Sequence, residues 1–250
     1  MSDRPVLLVT GGSRGIGAAI SLTAARQGWA VVVNYANDRA AADAVVAAIA
    51  AEGGEAIAAA GDIGTADGIR ALFATLDAHF GRLDGLVNNA GVVDMTARVD
   101  EMSYERIERM FRINVTGSIL CAGEAVKRMS TRHGGKGGSI VNISSVAASL
   151  GSPGQYVDYA ASKGAIDTFT TGLAKEVAAE GIRVNAVRPG IIDTEIHASG
   201  GLPDRARDLA HLVPMQRPGQ AQEIADAVVF LLSPSASYIT GAILDVSGGR

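Results

Sequence analysis

Short runs of β-branched and aliphatic residues alternate with longer alanine-rich segments along the chain, and this alternation constrains the fold more than any other feature. Most of these runs are continuously apolar, as in strands that are buried on both faces. The segments between them place apolar residues at helical spacing, as in Ile166, Phe169 and Leu173. The pattern predicts an α/β fold, a doubly wound seven-stranded parallel sheet with helices on both faces. The predicted strands are Val6–Thr10, Ala30–Asn34, Glu55–Ala60, Leu83–Val87, Ser139–Ile143, Ile182–Val187 and Ala242–Val246.

A length of 250 residues suits one domain spanning residues 1–250, and no linker or repeat divides the chain. One break in the alternation runs from residue 191 to about residue 220, with three prolines and many charges, and no strand is predicted there. Ligands of open α/β sheets bind at the carboxyl ends of strands. This segment is therefore predicted to be a substrate lid, with a surface excursion as the alternative.

Charge and composition exclude several classes of partner. The formal net charge of −4 argues against nucleic acid or an anionic membrane surface. Cys121 is the single cysteine and no Cys/His cluster has zinc-site spacing, so we expect neither a disulfide nor a metal. The first residues show no signal-peptide pattern, and no apolar stretch approaches about 20 residues. We expect a cytoplasmic protein without nucleic-acid or membrane partners.

A glycine-rich loop, Thr10–Gly17, lies between the first predicted strand and an alanine-rich helix. A helix N-terminus presents free N–H groups and a positive dipole end, and glycines let a pyrophosphate approach the backbone. The loop lacks the Lys-Ser/Thr of an NTPase P-loop, and its spacing differs from the common G-x-G-x-x-G fingerprint. A plain turn is the alternative to dinucleotide binding. The residues that we predict to bind the cofactor here are Gly11, Ser13, Arg14, Gly15, Ile16 and Gly17.

The loop resembles the T-G-x-x-x-G-x-G cofactor loop of the short-chain dehydrogenase/reductase family. The resemblance extends from Val6 to Gly249 through five ordered motifs. It implies a single Rossmann-like domain and a nicotinamide-dependent oxidoreductase that interconverts a small-molecule carbonyl and a secondary alcohol. It also implies a homotetramer.

The residues after the second predicted strand favour NADP over NAD. An acidic residue at this place binds the ribose hydroxyls of NAD, but here the strand ends in Asn34-Tyr35, and Asp38 comes several residues later. The guanidinium of Arg14 suits a 2′-phosphate, and Arg39 lies beyond the strand. We therefore predict NADP as the preferred cofactor, with NAD possible. The alternative is that Arg14 is a solvated loop residue.

Further cofactor contacts follow from the resemblance. Asp62 and Ile63 match the place where the family has an Asp that binds the adenine amino group, and a helix N-cap is the alternative for Asp62. The string Asn-Asn-Ala-Gly after the fourth strand matches a motif that lines the adenosine half of the site. Residues after the sixth strand match those that hold the nicotinamide carboxamide, although Thr194 has an N-cap of a lid helix as its alternative. The matching residues are Asn89, Ala90, Gly91, Pro189, Gly190, Ile192 and Thr194.

Tyr159 and Lys163 open an apolar helix four residues apart and so share one face of it. A free tyrosine has a pKa near about 10, and a neighbouring ammonium lowers it toward the range needed for proton transfer. Such a pair is common and usually structural in isolation, but the resemblance adds Asn114 and Ser145. It implies that Ser145 holds the substrate oxygen and Tyr159 transfers the proton. It also implies that Lys163 binds the nicotinamide ribose and Asn114 holds a water.

Two neighbouring residues are alternatives for the catalytic positions. They are Ser144 and Tyr156, and Tyr156 lacks a lysine four residues on. The overall pattern resembles the branch of glucose dehydrogenases and 3-oxoacyl-carrier-protein reductases, which implies a 3-oxoacyl thioester or a sugar or polyol as substrate. The predicted pocket residues are Val93, Met95, Ser149, Gln155 and His197.

Two other classes of function fit these residues less well. A non-catalytic dinucleotide-binding sensor or interaction protein is the alternative, and the intact set of four catalytic residues argues against it. A serine hydrolase is disfavoured because no G-x-S-x-G elbow occurs.

Overall fold

The computed structural model describes residues 4–194 and 205–250. Their strands are β1 Val6–Val9, β2 Ala30–Tyr35, β3 Glu55–Ala60, β4 Gly85–Asn88, β5 Gly138–Ile143, β6 Ile182–Pro189, β7 Ile192–Asp193, β8 Gly219–Gln220 and β9 Ile243–Val246. Seven of them form one parallel sheet in the order β3-β2-β1-β4-β5-β6-β9. The predicted doubly wound seven-stranded sheet is confirmed, with strand ends that differ from the predicted ones by at most two residues.

Helices connect the strands on both faces of the sheet. They are α1 Gly15–Arg26, α2 Arg39–Ala51, α3 Ala66–His79, α4 Tyr104–Phe111, α5 Ser118–Met129, α6 Ala147–Leu150, α7 Val157–Val177, α8 Arg205–Asp208 and α9 Ala221–Leu232. A π-helix, Arg112–Gly117, joins α4 to α5 without interruption. Short 3₁₀ turns lie at Val99–Glu101, Thr131–His133, Ala178–Glu180, Ala210–Leu212 and Pro234–Ala236. Within the described ranges, no helix combines the length and the apolar character needed to cross a membrane.

The two faces of the sheet bury separate hydrophobic clusters. In β1, Val6 and Leu8 belong to the cluster that includes residues of α3, α5 and α7. Leu7 and Val9 point to the other face and belong to the cluster with α1, α2 and α9. Successive side chains of a strand alternate between faces, so a continuously apolar strand fits a sheet covered on both sides.

The segment where no strand was predicted contains β7 and β8, which pair with each other in parallel. The expectation was wrong because two-residue strands leave no periodic signal in a sequence. Gly219 donates its N–H to the Ile191 carbonyl, and a side chain at Gly219 would crowd Ile192, which explains a glycine at this place. Residues 195–204 of the predicted lid, His197 included, lie outside the described residues.

The position of β1 in the sheet indicates where a ligand would bind. The strand order reverses between β1 and β4, because β1 lies beside both β2 and β4. Ligands of open α/β sheets bind outside the carboxyl ends of the strands at such a reversal. The loops that follow β1, β4, β5 and β6 all lie at this edge.

Candidate active site

A cleft of about 770 Å³ lies at the carboxyl edge of the sheet. All of the predicted cofactor residues, together with Ser145, Tyr159 and Lys163, line it. Asn114 does not line the cleft, since only 1% of it is exposed and it lies behind the wall. The sequence motifs, which are spread over most of the chain, therefore converge on one site.

The glycine loop is tied to the loop after β4. The Thr10 hydroxyl accepts the N–H groups of Asn89 and Ala90 at 3.0 and 3.1 Å, and the Asn89 amide donates to the carbonyls of Thr10 and Gly11 at 3.0 Å each. This explains why consecutive asparagines, poor strand formers, end β4. The Asn-Asn-Ala-Gly string thus fixes the shape of the glycine loop.

The glycine loop leaves room for an anionic group. Gly11 and Gly15 have φ values of +59° and +50°, which side-chain-bearing residues rarely adopt. Helix α1 begins with Arg14 as N-cap and has no side-chain cap, so its first N–H groups are not satisfied by a side chain. Free N–H donors, a positive dipole end and glycines that leave the backbone accessible fit the diphosphate of a dinucleotide.

Asn34, near the end of β2, binds the protein's own backbone. Its side chain is buried, accepts the Gly11 N–H at 3.2 Å and donates to the Ala59 and Gly61 carbonyls at 3.2 and 3.0 Å. The amide therefore holds the glycine loop against β3. Arg14 is exposed, and its side chain makes no hydrogen bond or ion pair with the part of the chain that the structure describes.

The structure decides one alternative for Asp62. Helix α3 is capped by Thr65, whose hydroxyl accepts the Gly68 N–H at 3.0 Å, so an N-cap role for Asp62 is wrong. Asp62 instead accepts the Gly64 N–H at 2.8 Å in a tight turn. Its exposed carboxylate lines the cleft.

The first turns of α7 bring Tyr159 and Lys163 together at the carboxyl end of β5. The Lys163 ammonium lies 5.6 Å from the centre of the Tyr159 ring and donates to the Ile143 carbonyl at 2.8 Å. Ser145 follows β5, and its hydroxyl accepts the Ala147 N–H at 3.1 Å. The Ser145 hydroxyl lies close enough to the Tyr159 phenol to affect its pKa. A hydroxyl pair next to an ammonium suits the polarisation of a carbonyl.

Burial shifts the titration of both groups of this pair. It raises the pKa of the Tyr159 phenol, and the Ser145 hydroxyl opposes that shift, so the lowering by a neighbouring ammonium that the sequence predicted is not found. It lowers the pKa of Lys163 to about 8, although the Asp167 carboxylate acts in the opposite direction. Both shifts have the sign expected when a charged form loses water. At neutral pH the phenol is protonated and most of the lysine is charged.

The π-helix positions Asn114. Its side-chain oxygen accepts the Val92 N–H at 2.8 Å, and its amide donates to the Val92 carbonyl at 3.0 Å and to the Ser162 hydroxyl at 3.1 Å. A π-turn has one more residue than an α-turn, and such turns are frequent at functional sites. Gly117 lies in the same turn, where a Cβ would be 2.5 Å from the Ile63 carbonyl.

The substrate side of the cleft agrees only in part with the predicted pocket. Val93 lines it, whereas Met95, Ser149 and Gln155 do not. The residues that sequence reasoning did not place there are Val92, Asp94, Arg109, Leu150 and Ser152. Tyr156, one of the two catalytic alternatives, lines this side and is buried.

Two further residues were not anticipated, Arg106 and Asp158. They form an ion pair beside Tyr159, with 11% and 2% of their side chains exposed. The only sequence signal was an acidic residue directly before the tyrosine of an apolar helix. Nothing in the sequence connects that residue to α4.

Comparisons with known proteins find relatives that match almost the whole chain. A family model described as enoyl-(acyl carrier protein) reductase matches residues 11–250. The uncharacterized oxidoreductase YgfF of Escherichia coli K12 is 54% identical over 98% of this chain and 99% of its own. A 3-oxoacyl-[acyl-carrier-protein] reductase of Synechocystis is 43% identical over 98% and 96%. Glucose 1-dehydrogenase 2 of Bacillus subtilis is 40% identical over 97% and 93%.

Solved structures share the fold over almost the full length. A short-chain dehydrogenase/reductase of Serratia marcescens superposes with a TM-score of 0.89 at 37% identity and covers 98% of this chain and 97% of its own. The angucycline C-6 ketoreductase LanV with bound NADP superposes with a TM-score of 0.89 at 34% identity, covering 98% and 95%.

Proposed function

The chain belongs to the short-chain dehydrogenase/reductase family of NAD(P)-dependent oxidoreductases, and on that premise we propose that it uses NADP(H) to interconvert a small-molecule carbonyl and a secondary alcohol. The observation that carries the proposal is the meeting of Ser145, Tyr159 and Lys163 beside the glycine loop in one cleft. A structural role for each motif separately would not require their convergence.

Each catalytic side chain has a proposed task. The hydroxyls of Ser145 and Tyr159, which both line the cleft, hold the substrate oxygen between them. The nicotinamide supplies or accepts the hydride when it is bound. Tyr159 gives its proton to the developing alkoxide, and in oxidation it takes the proton back.

Lys163 and Asn114 support the proton transfer. A charged Lys163 at 5.6 Å from the Tyr159 ring stabilises the phenolate that forms during carbonyl reduction. Asn114 holds the loop at Val92, next to Gly91, and so shapes the wall beside the lysine. We propose that a water beside Asn114 links Lys163 to solvent.

The proposed substrate is a 3-oxoacyl thioester or a sugar or polyol, the classes named for the relatives from Synechocystis and Bacillus subtilis. The substrate side of the cleft combines apolar Val92, Val93 and Leu150 with polar Ser152 and Asp94. This mixture suits a molecule with both an alkyl part and hydroxyl or carbonyl groups.

Cofactor binding gives the first test of the function. With ligand at about 100 times its dissociation constant, the folded state gains about 2.7 kcal/mol, or roughly 5–10 °C in thermal midpoint for a chain of this size. At equal concentrations of the two cofactors, we expect NADP to give a larger shift than NAD, because Arg14 is exposed beside the glycine loop and no acid ends β2. Differential scanning fluorimetry with each cofactor measures this.

Two variants test which guanidinium produces the expected preference for NADP. Arg14→Ala should reduce the NADP shift to the NAD value. Arg39→Ala is the matched control, since the Arg39 guanidinium already pairs with Asp43 at 3.3 Å, and it should keep the preference. A larger shift with NAD would overturn the cofactor assignment, and no shift with either cofactor would contradict the proposed function.

We further propose that the protein is a homotetramer with dihedral symmetry. Exposed apolar side chains support it, with Ile119 and Leu120 on α5 and with Phe230 and Leu244 on α9 and β9. Closed homo-oligomers bury such patches. Native mass spectrometry should give four times the 25.5 kDa chain mass, and a single species at the monomer mass would refute the tetramer.

A further inference from the structure

The ion pair between Arg106 of α4 and Asp158 of α7 fixes the distance and the relative orientation of the two side chains. Arg106 Nε lies 2.8 Å from one carboxylate oxygen of Asp158, and Nη2 lies 3.3 Å from the other. Both side chains are largely buried, and 52 residues separate them in the chain. A two-point contact between planar groups fixes orientation as well as distance.

Asp158 acts at the start of the catalytic helix. Its carboxylate accepts the N–H of Tyr159 at 2.9 Å. The N-cap residue Tyr156 makes no side-chain capping bond, so this contact satisfies one of the first-turn donors that otherwise lack a partner. The backbone of Tyr159 and the guanidinium of Arg106 are therefore held by the same carboxylate.

Arg106 also holds the loop on the substrate side. Its Nη1 donates to the Met95 carbonyl at 2.6 Å. This substrate-side loop, residues 92–97, is tied at its other end to Asn114, and its Ala97 N–H donates to the Gln155 carbonyl at 3.1 Å. The residues of the loop that line the cleft are Val92, Val93 and Asp94.

Neither Arg106 nor Asp158 lines the cleft. Their effect on a substrate must pass through the groups that they hold, the substrate-side loop and the first turn of α7. Among the described residues, the Arg106 guanidinium contacts both of these segments, through Met95 and Asp158.

We propose that Arg106 and Asp158 are positioning residues that hold the substrate-side loop at a fixed distance from Tyr159 and thereby align the substrate carbonyl with the phenol. The inference rests on the proposed carbonyl–alcohol function. It adds two positioning residues that belong neither to the set of Asn114, Ser145, Tyr159 and Lys163 nor to the predicted cofactor-binding residues.

The variants Arg106→Lys and Asp158→Asn test the proposal, because each keeps about the size of the side chain and part of its hydrogen bonding. A lysine keeps the charge but loses the two-point contact, and it cannot bind the carboxylate and the Met95 carbonyl with the same planar geometry. A misplacement of about 1 Å can cost about 100-fold in rate. We expect kcat/KM for the carbonyl substrate to fall by about 10- to 100-fold, with the NADPH dissociation constant unchanged within about twofold.

Arg128 offers a matched control. It makes the same kind of two-point contact, with Asp77 at 2.8 and 2.6 Å, and it also donates to a carbonyl, that of Glu124 at 2.8 Å. It does not line the cleft. Arg128→Lys should lower thermal stability by no more than Arg106→Lys, since 45% of the Asp77 side chain is exposed, and it should leave kcat and KM unchanged.

We also expect Arg106→Lys to show a larger primary deuterium isotope effect than the wild type when deuterium-labelled NADPH is used. The reason is that a misaligned carbonyl makes hydride transfer slower than the other steps of the reaction. Kinetics equal to those of Arg128→Lys would overturn the proposal. A parallel loss of NADPH affinity would also overturn it, since the pair would then act on the whole cleft.

Hydrogen–deuterium exchange separates this proposal from the proposed function. The N–H groups of Val92 and Ala97 are hydrogen-bonded in the substrate-side loop, and they should exchange faster in Arg106→Lys than in Arg128→Lys. If the wild-type enzyme turns over no carbonyl or alcohol, the proposed function fails, yet this exchange still reports on the loop. Unchanged exchange of residues 92–97 would refute the positioning role.

Discussion

Replacing Tyr159 with phenylalanine is expected to lower kcat by about 10²- to 10⁴-fold, the range that general acid–base catalysis contributes. The change removes one oxygen and keeps the ring, so the Lys163 contact at 5.6 Å and the packing of α7 remain. Without the phenol, the alkoxide loses the acid that gives it a proton, and the Ser145 hydroxyl alone holds the substrate oxygen. The NADPH dissociation constant should change little.

The measurement is the absorbance of NADPH, with 3-oxoacyl thioesters tested as reducible substrates and sugars and polyols as oxidisable ones. Tyr156→Phe is the informative comparison, because Tyr156 lies in the same cleft but has Ala160 instead of a lysine four residues on. It should lose far less activity than Tyr159→Phe. An equal or greater loss would move the acid–base role to Tyr156, and a wild-type protein that binds NADPH without turnover would favour a sensor.

The second large effect is expected for Gly17→Ala. A Cβ at this position would overlap the Gly11 carbonyl oxygen and lie 2.5 Å from the Asn89 amide nitrogen. Both are parts of the tie that shapes the glycine loop. Overpacking of this kind costs about 1–3 kcal/mol of stability. If about 1.4–2.8 kcal/mol of this cost is lost from the free energy of cofactor binding, the affinity for the cofactor should fall by about 10- to 100-fold.

Calorimetric titration with NADPH and thermal unfolding of the same variant measure the two parts of this effect. Gly53→Ala is the control, since Gly53 has open space around the added carbon and a φ of +76°. It should cost about 1 kcal/mol of stability through its backbone conformation and leave NADPH affinity unchanged. If Gly17→Ala binds NADPH as tightly as the wild type, the close contact between Gly17 and Gly11 does not determine how the glycine loop binds the cofactor.

Much of the fold and the site could be predicted from the sequence because the signals were local. A continuously apolar run such as Val31–Val33, followed by turn residues, predicts a buried strand on its own. The glycine loop and the Tyr159–Lys163 pair each lie within eight residues or fewer. Parallel strands then place their carboxyl ends at one edge, which brings distant motifs together without a separate signal.

Other features were inaccessible because they depend on tertiary contacts. Asn34 ends the predicted second strand, but only its contacts with the end of β3 and with Gly61 show that its amide donates to carbonyl groups. Asp62 and Thr65 are both good capping residues, and the sequence could not decide which of them caps α3. Arg106 and Asp158 lie on two different helices and are 52 residues apart in the chain. No periodicity in the sequence connects the two residues.

The π-helix that carries Asn114 puts helix regularity and site geometry in opposition. Deleting one residue between Arg112 and Gly117 would allow a continuous α-helix from α4 to α5, with a regular hydrogen bond for each residue. The same deletion would rotate one half of this rod by about 100° relative to the other. Asn114 would then no longer face Val92 and Ser162 together. The helix that is most regular for this segment is thus one residue shorter than the helix that the site requires.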